Sequence, residues 1–168
     1  MSTPPVQANE SLYRQIGPGG NPIYFDPTRA QCVHRSSFLP TTQDVDGLSL
    51  IRSRFRTAIW SAHRPELPDV RFRLAVLRSV VAREVAINAG FTHLEFEPSP
   101  DTLDERFGEP WAHCTVSQIN RLDYDSNQTV KRMIKEWAMG IANSVSEQVV
   151  IGPFDAPGHD DDYRPTQY

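Results

Sequence analysis

Arg71-Phe72-Arg73-Leu74-Ala75-Val76-Leu77, running on into Arg78-Ser79-Val80-Val81, admits two readings, and the choice between them decides the fold. At a period of two, Phe72, Leu74 and Val76 share one side and Arg71 and Arg73 the other, the pattern of a half-buried strand. Ser79 then offers an N-cap for a helix from Val80 to Ala89, and Gly90 falls where a left-handed C-cap belongs. At the helical period, Val70, Leu74, Leu77, Val81 and Val85 line one face of a single helix from Val70 to Asn88. The strict alternation at its start favours the strand, but periodicity alone leaves both open.

The stretches on either side supply more strands than helices. Leu12 to Ile16 alternates and stops at the turn cluster Gly17-Pro18-Gly19-Gly20-Asn21-Pro22. Ile23 to Leu39 predicts mostly loop with brief extended pieces. Asp46-Gly47 turns the chain into the apolar run Leu48-Ser49-Leu50-Ile51. Phe55, Ile59 and Trp60 predict a helix over Ser53 to His63, stopped by Pro65. Phe91 to Glu97 reads as a strand closed by Pro98-Ser99-Pro100, residues 101 to 109 as a charged loop, and Trp111 to Ile119 as a further strand. The clearest helix runs from Ser126 or Asn127 to Asn143, with Val130, Met133, Ile134, Trp137, Ala138 and Ile141 on one face. Glu147 to Ile151 adds a short strand before Gly152-Pro153. This order predicts an α+β single domain, a mixed or mainly antiparallel sheet packed by one long C-terminal helix and one or two shorter helices. Residues 1–10 are expected to form a flexible arm, 11–154 the domain, and 155–168 a flexible acidic tail too polar to bury.

Composition narrows the function classes. The chain has 168 residues, 39% of them hydrophobic and 23% charged, which suits one ordinary globular core. A net charge of -4 disfavours a general nucleic-acid binder, which needs a basic face to displace counterions. Only Cys32 and Cys114 are present, in no zinc-type or Cys-x-x-Cys spacing, so no disulfide framework is expected. The start of the chain carries neither the basic nor the apolar region of a secretory signal, and no run reaches the length of a membrane span, so a cytoplasmic protein is expected. Gly17 to Gly20 is not followed by a helix, and neither a dinucleotide fingerprint nor a phosphate loop occurs. No cofactor and no metal is expected, since no two histidines have helical i, i+4 spacing.

Chemistry concentrates in Gly108 to Asn120, which carries His113 beside Cys114. Neighbours on a strand point to opposite faces, so this pair cannot act as nucleophile and base without a bulge. His113 is the candidate general acid or base, with Asp44 or Glu109 to orient it, and Cys114 reads as a small buried apolar residue. Arg14, Arg35 and Arg52 are candidate anion- or partner-binding groups, because a planar guanidinium grips phosphate or carboxylate. Trp60, Trp111 and Trp137 are expected in the core rather than on a binding surface.

Leu12-Tyr13-Arg14-Gln15-Ile16, Phe38-Leu39-Pro40 with Asp44 and Gly47-Leu48-Ser49-Leu50, Ala112-His113, and Val149-Val150-Ile151-Gly152-Pro153-Phe154 together resemble the motifs of a group of small uncharacterised bacterial proteins. Those proteins carry a Leu-Tyr-Arg opening, a Phe-x-Pro-x-x-x-Asp phrase leading to Leu-Ser-Val, and a His-Ala strand; here the histidine follows the alanine and Cys114 comes next. The resemblance implies a bacterial, compact, single-domain protein and carries no mechanism. Tyr13-Arg14 is also similar to the early Tyr-Arg strand of ADP-ribosyltransferase-like domains, some of whose arginines contact NAD, but no Ser-x-Ser strand accompanies it. Two functions follow as expectations. The first, which the sequence favours, is a non-catalytic interaction or regulatory protein of a bacterial complex, docking a protein partner encoded nearby through an arginine-bearing face. The second is a small enzyme acting on a phosphorylated, nucleotide or peptide substrate through His113. Convergence of His113 with two of the other candidates on one pocket would favour the enzyme.

Overall fold

Alternation wins at Arg71–Leu77: β5 (Arg73–Arg78) is a strand, and it runs directly into α2 (Ser79–Ala89), which Gly90 ends in the left-handed conformation at φ 108°. The structure, a computed structural model, describes residues 3–17, 23–26, 29–108, 111–145 and 150–165. β5 pairs along its whole length with β1 (Ser11–Ile16), from Ser11 opposite Arg78 to Ile16 opposite Arg73. The other elements are β2 (Ile23–Asp26), β3 (Arg29–Val33), a 3-10 turn (Arg35–Phe38), β4 (Leu48–Arg52), α1 (Ala58–Ser61), β6 (Phe96–Pro98), α3 (Thr102–Phe107), β7 (His113–Val116), α4 (Arg121–Ser126), α5 (Gln128–Val145) and β8 (Val150–Ile151). The main sheet has the order β6-β7-β4-β1-β5-β8 with every pairing antiparallel, and β2 and β3 form a separate hairpin. The molecule is an α+β single domain.

Strand alternation sends Leu12, Leu48, Leu50, Ala75, Leu77, Cys114 and Val116 to one face, where α2 and α5 cover them. The predicted stripe of α5 is the inner surface of that cover: Ile134, Trp137, Ala138 and Ile141 have no exposed area, and the Trp137 indole N–H donates to the Ala82 carbonyl at 3.1 Å. Truncating a buried tryptophan of this kind costs about 3–5 kcal/mol. The two helices approach closely because α2 presents Ala82, Ala86 and Ala89, and because Gly140 faces Val85, whose Cγ1 would lie 2.4 Å from an added Cβ. Asn127 caps α5, its side-chain oxygen accepting from the Val130 amide at 3.1 Å.

Several expectations give way to tertiary contacts. The predicted helix over Ser53 to His63 shrinks to the four residues of α1, because Phe55 and Arg56 fold back onto the Arg52 carbonyl to bury their side chains. Ser79 is the first residue of α2 rather than its N-cap; its hydroxyl accepts the Glu10 amide at 2.7 Å and donates to the Gln7 carbonyl at 2.9 Å. The strand expected over Phe91 to Glu97 begins only at Phe96, since Phe91 and Leu94 turn into the core beneath the helices. The charged stretch 101–109 contains α3, started by a capping box in which Asp101 accepts from the Asp104 amide and Asp104 from the Asp101 amide. The chain ends reach the interior as well. Val6, Glu10 and, in the segment read as too polar to bury, Tyr163 are all buried.

Candidate functional site

The second face of the sheet carries the other half of each alternating strand. Register sets Val76, Tyr13, Ile51 and His113 side by side across β5, β1, β4 and β7. Gln15, Ser49 and Thr115 stand one step along on the same face. The two long helices lie on the other face. Here His63-Arg64-Pro65-Glu66, Phe72, the Thr41–Asp44 turn and the start of α3 wall off a cavity of about 330 Å3.

His113 is half-buried in that wall and firmly oriented. Its Nδ1 lies 2.5 Å from the Ser99 carbonyl oxygen and 2.9 Å from the Ser99 hydroxyl. A carbonyl can only accept, so Nδ1 carries a proton and, in the neutral ring, Nε2 holds the lone pair. Nε2 has no hydrogen-bond partner among the described residues. The strand start beneath it is held by Asp104, whose Oδ1 accepts the Ala112 amide and whose Oδ2 accepts the His113 amide, each at 2.8 Å. Burial alone would raise the Asp104 carboxyl, but Arg56, the Tyr163 hydroxyl and these two amides hold it below the usual range.

Arg14 and Asp44 border the same cavity as His113, bonded to each other. The Arg14 Nη2 donates to Asp44 Oδ2 at 3.1 Å, its Nε to the Ser37 carbonyl at 3.1 Å and its Nη1 to the Ser49 carbonyl at 3.0 Å. Asp44 also accepts from the Thr41 amide at 2.7 Å and hydroxyl at 2.9 Å and from the Ser49 amide at 3.2 Å. Against the upward pull of burial, Arg14 and Thr41 keep its carboxyl below the usual range. This pair ties β1, β4 and the 3-10 turn together, and its donors and acceptors are already engaged. Arg52 is fully buried, donating to Glu10 at 2.7 and 3.0 Å and to the Pro4 and Pro5 carbonyls. Arg35 is exposed and does not line the cavity. Glu109 lies outside the described residues.

The strongest cavity groups that the sequence reading did not single out as site residues are Tyr13, His63 and Arg64. Arg64 lines the cavity, its Nε donating to Glu66 at 2.9 Å and its Nη1 to the Gln43 side chain at 3.1 Å, with the guanidinium 5.8 Å from the Phe72 ring centroid. His63 is held below its usual pKa by burial and by the nearby Arg71 cation. Burial raises the Tyr13 phenol. The only local hint was His63-Arg64-Pro65-Glu66, where a proline stop leaves three polar side chains in sequence. Each formal charge on the lining has a partner: Arg14 with Asp44, Arg64 with Glu66, and Asp101 with Arg56. Among the described residues, no group of three or more His, Cys, Asp and Glu side chains comes together as metal ligands. Cys114 is buried under the helices, and burial pushes its thiol up to about 12. Among the described residues no helix is long and apolar enough to cross a membrane. Comparisons with protein-family models, with curated proteins and with solved structures give no match for this chain.

Proposed function

We propose that the protein is a small enzyme in which His113 acts as general acid and base on a compact polar substrate. The observation that carries this reading is the fixed imidazole: Nδ1–H directed at the Ser99 carbonyl, and Nε2 without a protein partner among the described residues on a side chain that lines a cavity. A backbone carbonyl orienting one nitrogen leaves the other to take and return a proton. Arg14 and Asp44 converge on the same cavity, as an enzyme requires, but as a mutually bonded wall. The substrate-facing cation is therefore Arg64, whose Glu66 partner a single anionic group can displace. A volume of about 330 Å3 lies at the lower end of small-molecule sites. Paired lining charges fit a nucleoside- or peptide-sized molecule with at most one anionic group better than a polyphosphate.

The docking alternative retains Arg35, Arg71 and Arg73, which are exposed, whereas Arg14 and Arg52 are buried. Capture of wild type and His113→Ala from a bacterial lysate, with bound small molecules and proteins identified by mass spectrometry, separates the two. A metabolite that accumulates only on His113→Ala is the expected result. A protein partner held equally by both forms, with no difference in small molecules, would reverse the choice.

A further inference from the structure

We propose that Tyr163 is a positioning residue for His113, acting from the C-terminal segment through the carboxylate of Asp104. The proposal rests on the reading of His113 as the acid and base. The Tyr163 hydroxyl donates to Asp104 Oδ1 at 2.6 Å and accepts from Arg56 Nε at 2.9 Å. Asp104 Oδ1 also accepts the Ala112 amide and faces Arg56 Nη2 at 2.9 Å, while Oδ2 accepts the His113 amide and, at 3.4 Å, the Asp101 amide. A carboxylate offers about four lone-pair sites, so this one is saturated and its plane is fixed. What that plane holds is the first residue of β7. From there the imidazole reaches back to the Ser99 carbonyl.

Tyr163 is itself fixed from several directions. Its carbonyl accepts the Thr57 amide at 2.8 Å, and the Phe107 ring stacks on it at 4.3 Å between centroids. The residues before it are anchored by Trp60 Nε1 on the Asp161 carbonyl at 2.9 Å and by the Thr57 hydroxyl on the Asp162 carbonyl at 2.7 Å. Burial raises the Tyr163 phenol far above its usual pKa, so the hydroxyl remains a donor. Without it, Asp104 Oδ1 loses one donor and Arg56 Nε loses its acceptor. The carboxylate then turns toward the cation, the His113 amide follows, and the hold of Ser99 on Nδ1 slackens.

The test reads the ring directly. Imidazole-labelled wild type, Tyr163→Phe and Tyr163→Ala are compared by nitrogen NMR at about pH 8, above the ordinary range of imidazole titration. Wild type is expected to show His113 as the Nδ1–H tautomer. Tyr163→Phe is expected to shift the His113 tautomer ratio toward Nε2–H by about threefold or more, with exposed His93 unchanged as the internal control. A lower melting temperature in Tyr163→Phe with an unchanged His113 tautomer makes the tyrosine structural and overturns the proposal; should Tyr163→Ala fail to fold, Tyr163→Phe decides alone. Capture experiments that show His113 to be non-catalytic would remove the enzyme reading, while the tautomer ratio would still decide whether Tyr163 reaches the ring.

Discussion

Arg52 and Arg56 stand one helical turn apart in number, both without appreciable exposure, and each fastens one end of the chain to the sheet. Arg52 meets Glu10 and the carbonyls of Pro4 and Pro5, so one cation answers one acid and the cage is closed. Arg56 meets Asp101 through two nitrogens at 2.9 and 2.7 Å, Asp104 at 2.9 Å and the Tyr163 hydroxyl, so one cation answers two acids. The second cage is also open to the cavity, because the Asp101 side chain is 31% exposed and lines it. Burial by itself would lower the Arg56 pKa, but Asp101, with Tyr163 and Asp104, more than reverses it and keeps the guanidinium charged. The same residue type thus makes a clasp at one end of the chain and, at the other, a clasp joined to the site.

The largest expected effect breaks the second cage. Arg56→Met should destabilise the protein by about 3–5 kcal/mol in urea unfolding, since it leaves two carboxylates around a buried site without their cation. Acid titration sharpens the point. In the wild type the folded Asp104 pKa lies below its unfolded value, so the unfolded chain binds more protons in that window and stability rises with pH. That contribution is complete above about pH 4 and is lost as the pH falls through the depressed folded value. In Arg56→Met the loss should set in at higher pH, because Arg56 is the largest influence lowering the Asp104 pKa. Arg52→Met is next, at about 3 kcal/mol by the same unfolding measurement, because only Glu10 is stranded. Equal losses in the two variants would mean that the second acid adds nothing. An exposed pair gives the lower bound: Asp125→Ala removes the Arg121 partner 2.9 Å away on α4 and should cost no more than about 0.5 kcal/mol.

Legibility in the sequence tracked the range of the contacts. Alternation in Leu12–Ile16, the stripe of α5 and the left-handed Gly90 depend on neighbours a few residues away and could be read directly; the start of α5 narrowed to Ser126 or Asn127, and at Arg71–Leu77 alternation competed with a helical period that only the pairing with β1 decides. The capping box of α3 was equally local: Asp101 and Asp104 stand at N-cap spacing, but the charged composition around them masked it. Tyr163 has no such local trace. Its partner Asp104 is 59 positions away and Arg56 is 107, so an aromatic in an acidic tail gives no sign that its hydroxyl completes a buried network. His113 was legible as a reactive type on a strand, whereas Ser99, which orients it, follows β6 directly and meets His113 only through the pairing of β6 with β7. Arg14, Asp44 and Arg52 show the converse: charge in a polar sequence suggested binding, and folding bonded those groups to one another and to the backbone.

The pairing of β7 with β4 sets Ile51 opposite His113 and Leu50 opposite Cys114. A shift of that ladder by one residue would exchange their faces, putting a thiol in the cavity and an imidazole under the helices. Two reactive side chains, an imidazole and a thiol, are therefore written in adjacent letters, and the register of β7 against β4 is the reading frame that selects which one meets the cavity.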